Sequence, residues 1–132
     1  MKKIISMLFA TVLVLGFASS ANAAKTLKCQ TVLNTKADEV KMGFCGLYDR
    51  EGLEGVDIGF AILPEFECKG YTYEAAKLMM DIGFNTIGLS MIQGITSKKN
   101  IASQALLKKL GLTFKGPVSL SDDEEEILLF QK

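Results

Sequence analysis

The sequence predicts a mixed α/β fold in which one sheet packs against two helices. Residues 26–34 alternate loosely between polar and apolar, two further strand-like segments follow up to residue 63, and a helical period of 3.6 begins at about Thr72. A strand–helix–strand order over residues 56–95 is typical of a βαβ unit, whose crossover is expected to be right-handed. The complete expected order of elements is β-β-β-α-β-α-β-β.

Three strands are expected before the first helix, over residues 26–34, 40–48 and 56–63. The gap after Asn34 is short and polar, which favours an antiparallel hairpin between the first two strands. Residues 49–55 are charged and contain glycine, so they are expected to form a turn. Pro64 ends the third strand, because proline has no N–H to donate to a sheet.

The first helix is expected from about Thr72 to about Gly83. Its apolar residues at positions i, i+3, i+4 and i+7 are Ala75, Leu78, Met79 and Ile82. This spacing places them on one face of a helix, where they can pack on the sheet.

A second helix is expected after a fourth strand at residues 87–95. Ser97 is the expected cap of this helix, which runs to Leu110, and Gly111 stands where a helix commonly stops. The last hairpin is expected from residues 112–115 and 127–131.

Residues 1–23 have the organisation of a Sec-type signal peptide. A basic start (Lys2 and Lys3) precedes an apolar run at residues 4–17, and small residues at 21–23 give a cleavage site. The apolar run is shorter than the ~20 residues that a transmembrane helix needs. An uncleaved anchor and a buried helix are the alternatives. The expected domains are therefore a signal peptide at 1–23 and a domain at 24–132. That domain is periplasmic or secreted, or cytoplasmic if the leader does not function.

Composition excludes several classes of function. Residues 1–23 hold two of the 15 basic residues and none of the 15 acidic ones, so the remainder carries a net charge of −2. This is not the charge of a basic nucleic-acid binder. The chain has no histidine and no C-x-x-C pair, so neither a zinc site nor Ser-His-Asp or Cys-His catalysis is expected. The acidic run at residues 122–126 is expected to be a solvated loop.

The chain has three cysteines, which are Cys29, Cys45 and Cys68. They are expected to be ordinary buried thiols. In an exported chain, one disulfide and one free thiol is the alternative, and the spacing does not say which pair would form.

The junction between the third strand and the first helix is the most informative stretch for chemistry. Residues 64–76 join a strand end to a helix N-terminus, where free backbone N–H groups and the helix dipole attract anions. Such a junction suits a pyrophosphate, and Gly70 would let the backbone approach the phosphates closely. One glycine alone would leave an ordinary loop as the better interpretation.

Motifs on both sides of this loop give further information. In chain order they are GFCGL at 43–47, DIGFAILPEF at 57–66, KGY at 69–71, EAA at 74–76, ITS at 95–97, NIASQ at 100–104 and LKKLGL at 107–112. Together they resemble the two acetyl-CoA motifs of the GNAT family of N-acetyltransferases and the strand that precedes them. The resemblance is to the branch similar to ribosomal-protein acetyltransferases, and it covers roughly residues 27–132.

The resemblance implies an acetyl-CoA-dependent N-acetyltransferase that acts on a primary amine of a protein N-terminus or a small molecule, without a metal. It also implies a mixed, mostly antiparallel GNAT-like sheet with two helices, from which the first strand and helices of the family are missing. The strand at 57–63 would diverge from the next strand and bind the pantetheine arm, and the loop at 67–72 would hold the pyrophosphate. The implied cofactor-binding residues are Ile62, Leu63, Lys69, Gly70, Tyr71, Thr72, Asn100 and Ser103.

The same resemblance suggests two catalytic residues. Ser103 is the candidate acid, which would protonate the leaving thiolate, and Asp57 is a candidate base. Glu65 is the other carboxylate near this motif that could act as a base, and solvated charges are the alternative interpretation of both residues. A helix cap is the alternative for Asn100, and for Ser103 it is a hydroxyl bonded to the preceding helical turn.

The sequence departs from the family pattern in the pyrophosphate loop. Glu67 puts a negative charge where a neutral or positive side chain is usual, Cys68 stands where glycine is common, and Thr72 stands where a smaller residue is usual. These changes favour an alternative in which the chain is a non-catalytic exported binding or scaffold module. A thiol-dependent function of Cys68 is a third alternative.

The expected partners are acetyl-CoA and an amine acceptor whose identity no residue indicates. No nucleic acid is expected, and membrane contact is expected only through an uncleaved leader. A homodimer through an open sheet edge is a further expectation.

Overall fold

The computed structural model describes residues 27–34, 40–120 and 126–132 of the chain. The signal-peptide prediction for residues 1–23 lies outside these ranges, as does all of the acidic run except Glu126. Within the described part of the chain, none of the helices is long and apolar enough to span a membrane.

The described strands form one six-stranded sheet. They are β1 (Leu27–Asn34), β2 (Lys41–Asp49), β3 (Val56–Ile62), β4 (Ile92–Ser97), β5 (Thr113–Val118) and β6 (Ile127–Gln131). Their order across the sheet is β1-β2-β3-β4-β6-β5, and only the β3–β4 pair is parallel. The prediction of a mixed, mostly antiparallel sheet with two helices is therefore confirmed.

The first helix, α1, spans Tyr71–Asp81 and continues as a π-helical segment over Ile82–Ile87. The predicted end near Gly83 is close to the end of the α-helix at Asp81 but wrong for the whole helical stretch, which continues past this glycine. Gly83 is instead a packing position. A Cβ there would lie 2.8 Å from Ile92 Cδ1 and 3.0 Å from Leu47 Cδ1. The helical stretch ends instead at Gly88, whose φ of 79° is the left-handed conformation common after helices.

The prediction of a cap at Ser97 is also wrong. Ser97 is the last residue of β4, and the second helix, α2, spans Ile101–Lys109. Asn100 caps this helix, with its side-chain oxygen accepting a hydrogen bond from the backbone N–H of Ser103 at 3.0 Å. Serine and asparagine both favour cap positions. Because β4 extends through Ser97, the cap falls to Asn100.

Both helices cover the same face of the sheet. Ile92 packs against the extension of α1, and a Cβ on Gly94 would lie 2.5 Å from Leu107 Cδ2 of α2. Residues two apart on a strand point to the same face, so α1 and α2 lie side by side over β4. The core on this face includes Leu47, Ile92, Leu107 and Phe130, all nearly fully buried.

The two parallel strands diverge after a short contact. Their register holds only two pairs, Val56 with Ile92 and Asp57 with Gln93. Beyond Asp57, the β3 backbone up to Ile62 pairs with β2 on one side and has no ladder partner in β4 on the other. The sheet therefore opens in a V between β3 and β4, as the sequence motifs implied.

Candidate functional site

A groove of about 610 Å³ lies on the helical face, where β3 diverges from β4. Its walls are the end of β3, the loop after it, the first turn of α1 and one side of α2. The lining residues are Phe60, Ala61, Ile62, Phe66, Glu67, Cys68, Gly70, Tyr71, Thr72, Tyr73, Asn100, Ala102, Ser103, Leu106 and Lys109.

The loop that closes one end of the groove has an unusual backbone. A 3₁₀ turn at Pro64–Phe66 follows β3, and two left-handed residues come next, Cys68 with φ 58° and Gly70 with φ 84°. Gly70 can adopt this conformation without a steric penalty, whereas Cys68 adopts it at a cost of about 1 kcal/mol. Successive N–H groups in such loops converge and favour anions.

The N-terminus of α1 opens into the same loop. Its first intrahelical hydrogen bond joins the N–H of Glu74 to the carbonyl of Gly70 at 3.1 Å. The N–H groups of Tyr71, Thr72 and Tyr73 precede that bond, and the first N–H groups of a helix have no partner within it. A Cβ at Gly70 would meet no heavy atom within 4 Å, so there is open space over this backbone.

The opposite wall of the groove comes from α2. Asn100 both caps the helix and lines the groove, so the helix-cap interpretation is correct and does not exclude contact with a ligand. Ser103 lies one turn further on and is partly exposed. The hydroxyl of Ser103 and the amide of Asn100 thus belong to one face of α2.

Six of the eight predicted cofactor-binding residues lie together in the groove. These are Ile62, Gly70, Tyr71, Thr72, Asn100 and Ser103. The other two, Leu63 and Lys69, flank it without lining it. The N–H of Leu63 is bonded to the carbonyl of Met42 at 2.7 Å, and the Lys69 Nζ lies 5.7 Å from the centre of the Phe66 ring.

The sequence prediction missed Phe60, Tyr73 and Lys109 as groove residues. Lys109 lies against the first turn of α1, with its Nζ 4.4 Å from the centre of the Tyr73 ring. The sequence could have predicted Lys109 as a groove residue, because it continues the i+3 series of Asn100, Ser103 and Leu106 on one face of α2.

Two charged or reactive side chains at the loop also line the groove. Glu67 lines the groove, so its carboxylate lies where it would repel a bound anion. Cys68 is exposed, so the prediction of a buried thiol is wrong for this residue and right for Cys45. The left-handed loop turns the Cys68 side chain away from the core.

Asp57 lies apart from the groove, at the start of β3 where the V begins. It is 1% exposed, and its Oδ2 accepts from Arg50 Nε at 3.0 Å and forms an ion pair with Nη2 at 2.9 Å. Burial raises the pKa of Asp57 from 3.8 to about 6, opposed by the Arg50 charge and hydrogen bond and, least, by the Ile95 N–H. Its Oδ1 makes no hydrogen bond of standard geometry.

The described residues hold no group of three or more His, Cys, Asp or Glu side chains that could bind a metal ion. The side chains that line the groove offer hydroxyl, amide, lysine, carboxylate and thiol groups.

Comparison with known proteins places this arrangement in a family. Residues 7–113 match the family model described as an acetyltransferase (GNAT) domain. The match starts inside the segment predicted as a leader, and the leader remains a prediction.

Curated relatives match parts of the chain. The uncharacterized N-acetyltransferase YnaD of Bacillus subtilis is 29% identical over 79 residues, which are 60% of this chain and 46% of that protein. The spermidine N(1)-acetyltransferase of Escherichia coli K12 is 38% identical over 55 residues, 42% of this chain and 30% of that protein. The matched part thus spans less than half the length of each.

Solved structures share the fold at low sequence identity. The structure of a putative GnaT-family acetyltransferase from Bordetella pertussis has a TM-score of 0.70 at 17% identity. The alignment covers 79% of this chain and 65% of that one. The ribosomal-protein-S5-alanine acetyltransferase from Vibrio fischeri has a TM-score of 0.69 at 19% identity, with 79% and 60% covered. The family match, the diverging strands and the groove beside them agree: the chain belongs to the GNAT acetyltransferase family.

Proposed function

We propose that the chain binds acetyl-CoA in this groove and transfers its acetyl group to an amine. The observation that carries the proposal is the coincidence of two features in one groove. The backbone of β3 is unpaired beyond Asp57 on the side facing β4, and the N-terminus of α1 opens beside Gly70. The first can bind an extended amide-containing arm, and the second can bind a pyrophosphate.

The residues present fit this co-substrate in size and chemistry. A volume of about 610 Å³ is within the range of small-molecule sites. Apolar side chains such as Phe60 and Leu106 line one part, and the N–H groups before Glu74 face the loop. Glu67 opposes phosphate binding, and its effect is reduced by screening at an open groove.

Acetyl-CoA would supply the activated acetyl group as a thioester. The N–H groups of β3 beyond Asp57 would stabilise negative charge that develops on the carbonyl oxygen, which is the main electrostatic contribution in acyl transfer. The Ser103 hydroxyl would donate a proton to the leaving sulfur, and the Asn100 cap would fix the start of the helix that carries it.

The acceptor amine has to lose a proton before or during attack. Asp57 is buried, its Oδ2 is held by Arg50, and it does not line the groove. We therefore infer that a water molecule accepts the proton, with Asp57 as a base only if the acceptor amine reaches the start of the V.

The acceptor is proposed to be a primary amine. Spermidine is the first compound to screen, because the E. coli relative that shares 38% identity over 55 residues is named for it. A peptide with a free N-terminal alanine is the second, because a ribosomal-protein acetyltransferase shares the fold. Neither name decides the substrate of this chain.

Calorimetric titration of acetyl-CoA into the full chain tests the cofactor part of the proposal. We expect saturable binding, and we expect Asn100→Ala to weaken it. Asn100→Ser is the control, because serine keeps a side chain that can cap α2 but removes the amide. Comparing the two variants separates the loss of the cap from the loss of the amide. We expect Glu67→Gln to strengthen binding about two- to fivefold at low salt, because a repulsive charge is removed. A folded chain that binds no acetyl-CoA would leave the non-catalytic module as the better interpretation.

Acetyl transfer is tested separately, by thiol release from acetyl-CoA in the presence of spermidine or the peptide. Ser103→Ala is expected to reduce the rate by about a hundredfold, the usual size of a general-acid contribution, and this loss should exceed any loss of acetyl-CoA affinity. Binding without any amine-dependent release of thiol would support a non-catalytic acetyl-CoA-binding module.

A further inference from the structure

A second, smaller cavity of about 290 Å³ is lined by residues of α1 and by the end of α2. Its lining residues are Tyr73, Lys77, Met80, Asp81, Phe84, Lys109, Leu110, Gly111 and Lys132. Tyr73 and Lys109 line both cavities, so this pair forms the partition between them.

The partition holds a positive charge at a defined place. The Lys109 Nζ lies 4.4 Å from the centre of the Tyr73 ring, a distance at which the ring attracts the cation. Lys77 follows Tyr73 by four residues on α1, so it lies one turn beyond the partition on the same helix face.

The charges around the second cavity do not all favour an anion. Asp81 lines it, and the α2 C-terminus contributes partial negative charge from its last carbonyls. Lys132 offsets part of this charge, because its Nζ donates to the Leu110 carbonyl at 3.3 Å. Three lysines and one aspartate line this cavity, and of the three lysines only Lys109 also lines the groove.

We propose that Lys109, assisted by Lys77, binds the 3′-phosphate at the nucleotide end of the coenzyme. The inference rests on the proposed function, which places the thioester end beside β3 and the pyrophosphate beside Gly70. The third phosphate of coenzyme A is at the opposite end of the molecule from its sulfur. Lys109 is the groove's one lining cation among the described residues, and it meets Tyr73 in the first turn of α1, next to the pyrophosphate loop.

The test compares coenzyme A with 3′-dephospho-coenzyme A by calorimetry on the full chain at low salt. The two compounds differ only in the phosphate in question. We expect coenzyme A to bind about three- to tenfold more tightly, as suits a charged contact at a solvated site. Lys109→Gln is expected to abolish this preference while leaving the affinity for the dephospho compound unchanged, and Lys77→Gln to reduce it in part.

Lys108→Gln is the matched control, because it removes the same charge from the next residue of the same helix end but lines neither cavity. The preference is expected to survive in this variant. An equal loss in both variants would show a general field effect and overturn the assignment. So would equal binding of the two compounds to the unaltered chain. If neither compound binds, the proposed function itself fails, which distinguishes that outcome from a wrong assignment of the phosphate site.

Discussion

Arg50 reaches across the turn between β2 and β3 to hold Asp57, with Nη2 2.9 Å from Oδ2. The arginine is 39% exposed at its side chain and the aspartate 2%, so a half-exposed cation covers a buried carboxylate. The pair lies where β3 and β4 make their only two parallel contacts, just before they diverge. Because the Asp57 carboxyl titrates, the stability of this part of the sheet is expected to depend on pH.

Asp57→Asn should change how stability depends on pH. Burial raises the folded-state pKa of Asp57 to about 6, whereas the unfolded value is near 3.8, so the folded chain holds more protons between these values. The contribution of Asp57 is thus fully present below about pH 4 and is lost as pH rises through about 6. Relative to the unaltered chain, Asp57→Asn is expected to gain about 2 kcal/mol between pH 4 and pH 7. Urea denaturation at both pH values measures this, and a constant difference would contradict it.

Arg50→Ala should destabilise the chain most at neutral pH. Removing the guanidinium leaves the Asp57 carboxylate buried without its counter-charge, at a cost of about 1–2 kcal/mol after allowance for the partial exposure of Arg50. At pH 4 the carboxyl is protonated, so the cost is expected to shrink. Denaturation of Arg50→Ala and of the double variant with Asp57→Asn checks this, because the pH dependence should disappear in the double variant.

Gly70→Ala should separate the ligand-binding role of the loop from its stability. Gly70 and Gly88 have φ values of 84° and 79°, and a Cβ on either meets no heavy atom within 4 Å. Alanine at either position should therefore cost a similar backbone strain of about 1 kcal/mol. Only Gly70→Ala is expected to weaken acetyl-CoA binding, by about tenfold, because its methyl group fills the space over the phosphate-binding N–H groups. Equal affinity in the two variants would count against a phosphate site at this loop.

Gly43→Ala should be among the most destabilising small substitutions in the sheet. Its Cβ would clash with the backbone carbonyl of Ala61 and lie 2.8 Å from Ile62 Cα, and backbone in a ladder cannot move aside easily. We expect a loss of about 3 kcal/mol. Gly55→Ala is the control, because its Cβ would meet the terminal methyl of Met91 at 2.6 Å, which a side-chain rotation relieves. A thermal melt of the two variants should show a clearly larger drop for Gly43→Ala.

The leader prediction can be tested by mass. If residues 1–23 are a functional signal peptide, chain recovered from the periplasm of an expressing bacterium should have the mass of residues 24–132. Replacing Ala23 with arginine should block cleavage and leave the full mass. Full-length chain in the cytoplasm, unchanged by the replacement, would show that these residues are not removed.

Hydrophobic period and punctuation predicted most of the secondary structure. They placed the fourth strand at residues 87–95, whereas β4 spans Ile92–Ser97, and they misread two residues as helix punctuation. Gly83 looked like a helix stop, but it is small because Leu47 and Ile92 pack against it, and these contacts come from strands distant in sequence. Ser97 looked like a helix cap, but the pairing of Ser97 with Ile127 extends β4 through it and passes the cap to Asn100. Neither the packing contacts of Gly83 nor the strand pairing of Ser97 can be predicted from the residues next to them in the sequence.

The sequence by itself determined the order of the elements, the loop with its glycine before α1, and the i+3 series on α2 that begins at Asn100. These follow from neighbouring residues, whose spacing sets the period and the turn. The tertiary structure decided that β3 and β4 share only two pairs, that six predicted residues converge while Leu63 and Lys69 do not, and that Lys109 meets Tyr73. The reason is physical: a groove between two helices and a splayed sheet is made by packing, and packing depends on contacts between residues that are far apart in the chain.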